Sequence, residues 1–253
     1  MAQDLTGKTI LVTGASRGVG AAVARACAQS GARVLIHFAQ EADAASRLAL
    51  ELRVPDADIL QADLVEAGAG AELWRVAVER AGRIDGLVNN AGVFTPTDLD
   101  GSDADWAAGW RRTLQINLIA AADLCREAVR HYRDHGGGKI INIASRAAHR
   151  GDTPDYLPYA ASKGGLVALT KSLARGYAKH GVIAVAISPG FVETDMAKGF
   201  IDAHGRAAAA GDIPLGDLAQ PEEIGALAVF LLGDVTRSIT GATIDVNGAS
   251  YLR

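Results

Sequence analysis

The chain has 253 residues, of which 49% are hydrophobic and 21% are charged, so it can bury a large core and is neither disordered nor fibrous. Its net charge of -4 comes from 25 basic and 29 acidic residues without a basic stripe, which argues against nucleic acid as a partner. The first residues carry no charged and apolar leader and no later window holds about 18 consecutive apolar residues, so we expect a soluble cytoplasmic protein without a membrane segment.

Short β-branched runs alternate along the chain with longer alanine-rich stretches. The runs predict seven strands, at residues 8–14, 33–38, 57–62, 84–90, 139–145, 182–190 and 242–248. Between them, apolar residues recur at i, i+3, i+4 and i+7, which is the spacing of one buried helix face. These stretches predict helices at 19–30, 71–82, 110–132, 162–180 and 221–233. Regular alternation of strand and helix is typical of βαβ crossovers, so we predict an α/β protein with a parallel sheet covered on both faces.

The alternation runs through the whole chain without a repeat or a low-complexity linker, so residues 1–253 are predicted to form a single domain. Residues 191–220 are the exception, because they are rich in Gly, Ala and Asp and only weakly periodic. We expect a mobile functional loop there, with its substrate-facing part at about 191–215. Cys27 and Cys125 lie in helical stretches without a CxxC motif, which favours two packed, reduced thiols over a disulfide or a zinc site.

A glycine-rich turn, TGASRGVG, leads from the first strand into the first helix. Gly14, Gly18 and Gly20 remove side chains where a pyrophosphate could approach the N–H groups of the helix N-terminus. The spacing is GxxxGxG rather than the GxGxxG of the usual dinucleotide fingerprint, and a tight loop with no ligand is the alternative. The position of the turn after the first strand of a βαβ chain favours dinucleotide binding.

Six ordered motifs resemble those of the short-chain dehydrogenase/reductase family. They are TGxxxGxG at 13–20, NNAG at 89–92, Asn117 in QINL, Ser145 at the end of the fifth strand, YAASK at 159–163 and PGFVET at 189–194. The resemblance implies a Rossmann-like three-layer αβα sandwich with a seven-stranded parallel sheet in the order 3-2-1-4-5-6-7. It also implies a nicotinamide dinucleotide lying across the C-terminal edge of the strands. Within the family, the sequence is most like 3-oxoacyl-(acyl-carrier-protein) reductases.

The same resemblance implies which residues bind the dinucleotide. Asp63 would face the adenine, although as a loop acid it could instead cap the following turn. Lys163 would hold the nicotinamide ribose, and Val192 with Thr194 would hold the carboxamide. The full set of cofactor residues is Gly14, Ser16, Arg17, Gly18, Val19, Gly20, His37, Phe38, Asp63, Leu64, Asn90, Ala91, Gly92, Tyr159, Lys163, Pro189, Gly190, Val192 and Thr194.

The end of the second strand bears on the choice between NAD and NADP. Phe38, preceded by His37, stands where an NAD enzyme typically has an acid for the ribose hydroxyls. Arg17 is placed as in NADP-dependent members of the family, where its guanidinium can pair with the 2′-phosphate. Gln40 replaces a second basic residue and Glu41 adjoins it, so a solvated Arg17 is the alternative. We expect NADP(H), with NAD(H) as the second choice.

The stretch YLPYAASK holds two tyrosines that could work with Lys163. Tyr159 lies four residues before Lys163, so the two share a helix face. Tyr156 lies seven residues before it, and Pro158 disfavours a helical Leu157, which would leave Tyr156 outside the helix. Tyr159 is therefore the candidate acid and base. We expect the Lys163 ammonium and an oxidised nicotinamide to lower the tyrosine pKa from about 10.

Two further residues complete the predicted catalytic set. Ser145 would hydrogen-bond the substrate oxygen, although alone it could equally satisfy local backbone at a strand end. Asn117 lies within a helical stretch, where asparagine is a poor helix former. The resemblance implies that Asn117 holds a water linking Lys163 to solvent.

Substrate contacts are expected from Phe94, Arg146, His149 and Tyr156. Arg146, His149 and the neighbouring Arg150 could attract a carboxylate or phosphate, with solvated loop charges as the alternative. No spaced carboxylate or histidine accompanies His149, so no metal site is predicted.

The predicted function is hydride transfer between a nicotinamide cofactor and a ketone or secondary alcohol, with 3-oxoacyl thioester reduction as the leading candidate. A sugar, polyol, steroid or small-ketone dehydrogenase is the alternative. A dinucleotide-binding regulator is disfavoured, because Asn117, Ser145, Tyr159 and Lys163 occur together and a binding protein needs no acid. The resemblance also suggests a homotetramer built on helices at 106–131 and 159–179 and on the last strand.

Overall fold

The computed structural model describes residues 3–253, apart from the side chains of Met196, His204 and Thr236. Its centre is a seven-stranded parallel sheet in the order 3-2-1-4-5-6-7, which confirms the predicted topology. The strands are β1 (Thr9–Val12), β2 (Arg33–Phe38), β3 (Ile59–Gln61), β4 (Gly86–Asn89), β5 (Gly138–Ile143), β6 (Val182–Pro189) and β7 (Thr243–Val246). The order reverses between β1 and β4, so their carboxyl ends border the crevice where open α/β sheets bind ligands.

Helices cover both faces of the sheet. They are α1 (Gly18–Gln29), α2 (Ala42–Leu52), α3 (Ala69–Ala81), α4 (Asp103–Leu114), α5 (Ala120–Asp134), α6 (Ala147–Arg150), α7 (Leu157–Tyr177), α8 (Asp195–His204), α9 (Arg206–Ala210) and α10 (Pro221–Leu232). Among residues 3–253, no helix is long and apolar enough to cross a bilayer.

Alternation along the strands explains the three layers. Side chains of a strand point to opposite faces in turn, and Ile10 and Val12 belong to one core cluster whereas Leu11 belongs to another. The first cluster lies between the sheet and α1, α2 and α10, and the second lies between the sheet and α3, α5 and α7. Because both faces are covered, the strands read as continuous apolar runs. Cys27 and Cys125 are free and buried, one in each cluster, as predicted.

Three helical segments differ from the prediction. The stretch at 110–132 is two helices, α4 and α5, joined by a π-helical turn at Gln115–Ile119. The weakly periodic residues 191–220 contain α8 and α9, which the pattern did not reveal because both helices bury little. Helix α2 was not predicted, and only Ala45, Leu48 and Ala49 of it are buried. The mobility of residues 191–215 and the one-domain description stay predictions.

The start of α7 corrects one argument and keeps its result. Leu157 is helical, with φ -52° and ψ -46°, so the expectation that Pro158 excludes it from the helix was wrong. Pro158 lies in the first turn of α7, where its missing N–H needs no partner within the helix. Tyr156 still lies outside α7, because it ends the short 3-10 turn Pro154–Tyr156.

His37 ties three elements together beneath the glycine turn. Its Nδ1 accepts a hydrogen bond from the Gly14 N–H at 3.1 Å, and its Nε2 lies 3.0 Å from the Ala62 carbonyl oxygen after β3. This pattern requires the neutral ring with the proton on Nε2. The ring is buried, and burial lowers the pKa of His37 from its ordinary 6.5 to about 4.

The neutral His37 makes stability depend on pH in a defined window. As pH falls from 6.5 towards 4, the unfolded chain takes up a proton that the folded protein excludes, so stability is lost in this range and is fully present above it. We expect the wild type to lose about 2 kcal/mol more unfolding free energy between pH 7 and pH 4.5 than the His37→Gln variant. Urea unfolding at the two pH values measures this difference, and equal losses would contradict it.

Candidate active site

The glycine turn is shaped for a ligand that approaches its backbone. Gly14 and Gly18 have φ of +61° and +54°, which a side chain would strain. A Cβ at Gly20 would collide with the Gly14 carbonyl oxygen and the Asn90 amide. Arg17 precedes α1 at the cap position but makes no side-chain cap hydrogen bond, so the first N–H groups of α1 have no capping side chain. Such an N-terminus fits the pyrophosphate of a dinucleotide.

Thr13 and Asn90 join the glycine turn to the end of β4. Thr13 Oγ1 accepts hydrogen bonds from the N–H groups of Asn90 and Ala91, both at 3.0 Å. The Asn90 amide donates to the carbonyl oxygens of Thr13 at 2.9 Å and Gly14 at 3.0 Å. The Asn90 side chain therefore fixes the floor of the crevice, and its contact with a dinucleotide stays a prediction.

The other wall of the crevice comes from the segment after β6. A Cβ at Gly190 would lie 2.8 Å from Asn247 Cβ, so this position needs a residue without a side chain. Val192 pairs with Ala219 in an isolated parallel bridge. The Thr194 methyl group lies 3.3 Å from where a Cβ on Gly18 would be. Residues 189–194 therefore reach the glycine turn across the crevice.

The predicted adenine end is built from local contacts. Asp63 Oδ1 accepts a hydrogen bond from the Val65 N–H at 3.1 Å, which is the turn-capping arrangement considered as the alternative. The Leu64 side chain is buried in the second core cluster, so only the backbone of this residue could contact a dinucleotide. Ser16 and Val19 are half-buried along the glycine turn, where a dinucleotide could touch them.

Tyr159, Ser145 and Lys163 come together at the end of β5. Lys163 Nζ lies 5.6 Å from the centroid of the Tyr159 ring, so the spacing of four residues places both on one face of α7, as predicted. Lys163 Nζ donates to the Ile143 carbonyl oxygen at 2.8 Å. The Ser145 side chain is a hydrogen-bond partner of Tyr159, and Ser145 Oγ also accepts from the Ala147 N–H at 3.1 Å.

Asn117 lies on the π-helical turn and holds the backbone beside these residues. Its Oδ1 accepts from the Val93 N–H at 2.8 Å, and its Nδ2 donates to the Val93 carbonyl oxygen at 3.0 Å and to Ser162 Oγ at 3.2 Å. A Cβ at Gly92 would lie 3.3 Å from Asn117 Oδ1 and 3.6 Å from Lys163 Nζ. Asn117 and Lys163 therefore face the same space beside Gly92. The prediction that Asn117 holds a water there is not tested by these contacts.

Burial sets the electrostatics of the pair. It raises the pKa of Tyr159 to about 12, and the hydrogen bond from Ser145 opposes this rise. It lowers the pKa of Lys163 to about 8. Burial is the largest influence on the Tyr159 phenol in this structure, and the Lys163 ammonium is directed to the Ile143 carbonyl oxygen. The predicted lowering of the tyrosine pKa by Lys163 together with an oxidised nicotinamide stays a prediction.

Aromatic rings form one wall beside Tyr159. Phe94 stacks face to face on Tyr156, with centroids 3.7 Å apart and planes at 1°. Phe94 also meets Tyr159 edge to face at 4.8 Å. Phe94 and Tyr156 thus lie on the side of Tyr159, and their contact with a substrate stays a prediction.

Arg146 and His149 face a different part of the rim. Arg146 Nη1 lies 3.3 Å from Asp212 Oδ2, and the His149 ring lies parallel to Tyr251 at 5.9 Å. Burial lowers the pKa of both Arg146 and His149. Their contacts link α6 to the 211–215 loop and to the C-terminal segment.

The structure adds three residues to the site for which the sequence predicted no role. Thr13 belongs to the glycine motif, but the motif does not reveal its role: its hydroxyl oxygen accepts the hydrogen bonds that join the end of β1 to the end of β4. Ser162 links Asn117 to the Tyr159 carbonyl, which its Oγ donates to at 2.7 Å. Asp212 is far from Arg146 in sequence, so no spacing could have paired them.

Comparison with known proteins decides the family. The family model for enoyl-(acyl carrier protein) reductase matches residues 14–249. The chain belongs to the short-chain dehydrogenase/reductase family. The resemblance found in the sequence is confirmed, and with it the oxidoreductase class.

Curated family members align over almost the whole chain. The 3beta-hydroxysteroid dehydrogenase 1 of Eggerthella lenta is 35% identical and the alignment covers 100% of this chain and 97% of the relative. A 3-oxoacyl-(acyl-carrier-protein) reductase of Vibrio harveyi is 35% identical, with 98% and 99% covered. The L-fucose dehydrogenase of Oryctolagus cuniculus is 38% identical, with 97% and 86% covered. Family membership therefore leaves the substrate open.

Solved structures of family members have the same fold. A candidate NAD(P)-dependent gluconate 5-dehydrogenase from Beutenbergia cavernae, with NADP bound at low occupancy, has a TM-score of 0.88. It is 33% identical, and the alignment covers 98% of both chains.

The buried ammonium of Lys163 should weaken the fold that carries it. A pKa lowered from 10.5 to about 8 corresponds to about 3 kcal/mol at neutral pH, and the variant leaves the Ile143 carbonyl oxygen without this donor, which costs about 1 kcal/mol. We therefore expect Lys163→Met to raise the unfolding free energy at pH 7 by about 2 kcal/mol. Urea unfolding of the cofactor-free protein measures it.

Lys171 on the same helix is exposed, so Lys171→Met is the matched control and should change stability by less than about 0.5 kcal/mol. Stability of the wild type should also rise between pH 8 and pH 10.5, as the folded lysine loses its proton first. A Lys163→Met protein less stable than the wild type would contradict the expectation.

Proposed function

We propose that this family member interconverts a ketone and a secondary alcohol, with Tyr159 as proton donor and acceptor. The observation that carries the proposal is the placement of Tyr159 between Ser145, which hydrogen-bonds it, and Lys163, whose Nζ lies 5.6 Å from its ring. A dinucleotide-binding regulator would need neither group. Bound beside them, the nicotinamide supplies or accepts the hydride.

Each catalytic residue has a separate task in the proposal. Ser145 donates a hydrogen bond to the substrate oxygen, which stabilises the charge that develops there. Tyr159 gives its hydroxyl proton to that oxygen during reduction and takes it back during oxidation. Lys163 favours the ionised tyrosine, and Asn117 fixes Val93 and a water that returns the proton from solvent.

The residues at the crevice support dinucleotide binding. The uncapped N-terminus of α1 and the glycine turn would hold the pyrophosphate. Lys163 would hold the nicotinamide ribose and Thr194 the carboxamide. The other cofactor residues predicted from the sequence remain part of this proposal.

We infer a preference for NADP(H) over NAD(H). Phe38 is buried at the end of β2 and provides no carboxylate to accept ribose hydroxyls. Arg17 is exposed and available for a 2′-phosphate, and the Beutenbergia cavernae relative has NADP bound at low occupancy. Glu41 opposes this preference, because its Oε1 lies 3.4 Å from Arg17 Nη1.

Two substrate classes are compatible with the wall beside Tyr159. Acyl thioesters are the first candidate, since a 3-oxoacyl-(acyl-carrier-protein) reductase is 35% identical over 98% of this chain. The flat stack of Phe94 on Tyr156 favours a ring-bearing ketone or alcohol as the second, because aromatic faces pack well against rings. Turnover of NADPH with acetoacetyl thioesters, cyclic ketones and keto sugars separates the two classes.

We also propose a homotetramer. Exposed apolar side chains support an assembly. One lies at the π-helical turn within the predicted surface 106–131, and others lie on α10, just after α10 and after the last strand, outside the helices predicted to form the interface. They include Phe230, Val235, Leu252 and Ile119, with exposed fractions of 45%, 73%, 77% and 46%. Burial of such side chains between copies would stabilise an assembly.

The cytoplasmic location also stays a prediction.

The two tyrosines give the sharpest test of the chemistry. Tyr159→Phe removes the proton that reaches the substrate oxygen, so we expect kcat to fall by about 10³-fold with little change in cofactor affinity. Tyr156→Phe keeps the stack on Phe94, and kcat should change by less than about threefold. Steady-state kinetics and cofactor titration measure both, and equal losses in the two variants would refute the assignment.

The preference for NADPH is tested by two charge changes. Arg17→Gln should raise the KM for NADPH about tenfold and leave that for NADH nearly unchanged, because only the 2′-phosphate loses a partner. Glu41→Gln should lower the KM for NADPH by about two- to fivefold, because it frees Arg17. If neither variant changes the ratio of the two KM values, Arg17 is a solvated side chain and the inference is wrong.

A further inference from the structure

Arg146 is a buried guanidinium directly beside the catalytic serine. It follows Ser145 in the chain, and its backbone N–H donates to the Pro189 carbonyl oxygen at 2.8 Å. Only 8% of the residue is exposed. A guanidinium carries five N–H donors and stays charged at physiological pH, so burial destabilises it unless acceptors surround it.

The described residues do not satisfy this group. Arg146 Nη1 is buried without a hydrogen-bond partner, and its ion-pair partner, Asp212 Oδ2, lies 3.3 Å away. The same oxygen accepts a hydrogen bond from Arg150 Nη1 at 3.0 Å. Two guanidinium groups thus share one carboxylate, and Asp212 is half exposed. Buried polar atoms are almost always paired, so the Nη1 atom, which has no well-formed hydrogen bond, indicates a further acceptor.

A second buried polar atom on the same short segment lacks a partner. His149 Nε2 is buried and makes no hydrogen bond to the residues that the structure describes. Its ring lies parallel to Tyr251, which fixes its orientation from the C-terminal segment. Arg146 and His149 therefore both leave a buried polar atom without a hydrogen bond, three residues apart, on the segment that follows Ser145.

This cluster belongs to the same rim as the proton chemistry. Arg146 directly follows Ser145, and the Asp152 carboxylate influences the pKa of Arg146, Tyr156 and Tyr159, so the three side chains have one acidic neighbour in common. A substrate whose carbonyl oxygen lies between Ser145 and Tyr159 would start within one residue of Arg146.

We propose that Arg146 binds a carboxylate of the substrate, at the opposite end from the reacting carbonyl. The proposal rests on the proposed function and names its substrate class, a ketone or secondary alcohol that bears a carboxylate. Asp212 indicates that a carboxylate fits the guanidinium, and its exposure allows it to give way to the ligand or to share the arginine. Phe94 and Tyr156 would contact the carbon skeleton in between.

Binding without turnover tests the subsite on its own. Calorimetry on the NADP+-loaded protein would compare cyclohexanecarboxylate with cyclohexanecarboxamide, which has the same ring and no charge. We expect the carboxylate to bind at least tenfold more tightly. Arg146→Gln should weaken carboxylate binding by about 10- to 100-fold and leave the amide within about twofold. Arg146→Lys should recover part of the loss, because it keeps the charge without the planar fork.

Two neighbours provide controls. Arg150→Gln removes the more exposed arginine from the same Asp212 and should change carboxylate affinity by less than about threefold. Asp212→Asn removes the competing carboxylate and should tighten carboxylate binding several-fold, so this arm gives an answer even if the Arg146 variants do not fold.

Turnover of 4-oxocyclohexanecarboxylate and of its methyl ester completes the test. We expect kcat/KM to favour the acid by at least tenfold, and Arg146→Gln to remove that preference mainly through KM. Equal binding of the carboxylate and amide, or no tightening in Asp212→Asn, would overturn the subsite. Selective carboxylate binding without turnover of any ketone would instead overturn the proposed function and leave the subsite standing.

Discussion

The contact between the ends of β1 and β4 organises the whole site. Thr13 Oγ1 holds the N–H groups of Asn90 and Ala91, and the Asn90 amide returns to the Thr13 and Gly14 carbonyl oxygens. The same contact leaves no room for a side chain at Gly20. Because this is where the strand order reverses, one set of hydrogen bonds shapes the nucleotide crevice.

A chain of hydrogen bonds connects the segment that follows this contact to Tyr159. Two residues after Ala91, the Val93 backbone is held at both its N–H and its carbonyl by Asn117. Asn117 donates to Ser162, and Ser162 donates to the Tyr159 carbonyl oxygen. Buried networks of this kind fix side chains more firmly than separate pairs do. One network of hydrogen bonds therefore joins the crevice to Tyr159, the proposed proton donor.

The sequence predicted the sheet and the catalytic face well because these depend on local spacing. The β-branched runs indicated all seven strands, and the interval of four residues placed Tyr159 and Lys163 on one face of α7. Balances between distant groups were harder to predict. The direction of the Tyr159 pKa depends on desolvation by neighbours that are remote in sequence.

Features with weak or distant signals were missed for definite physical reasons. Helix α2 has Ala45, Leu48, Ala49 and Leu52 at the helical spacing, but two of the four are alanines, so its apolar stripe is weak. The pairing of Arg146 with Asp212 joins positions 66 residues apart. The contacts of His37 with Gly14 and Ala62 also join residues remote in sequence, and its predicted cofactor role stays a prediction. The spacing of residues along the chain predicts which face of a helix or strand is buried. Contacts between residues that are remote in sequence can be identified only from the structure.

The π-helical turn at Gln115–Ile119 has a consequence for how the sequence can change. Such a turn holds one residue more than a regular helix, and each residue of an α-helix advances the face by about 100°. Deleting one residue here would leave a smooth helix but would rotate one flank against the other. Either Asn117 would leave Val93 or α5 would present the wrong side to the sheet. The number of residues in this segment is thus fixed by the rotation that it sets between α4 and α5, which is a separate constraint from the identity of its side chains.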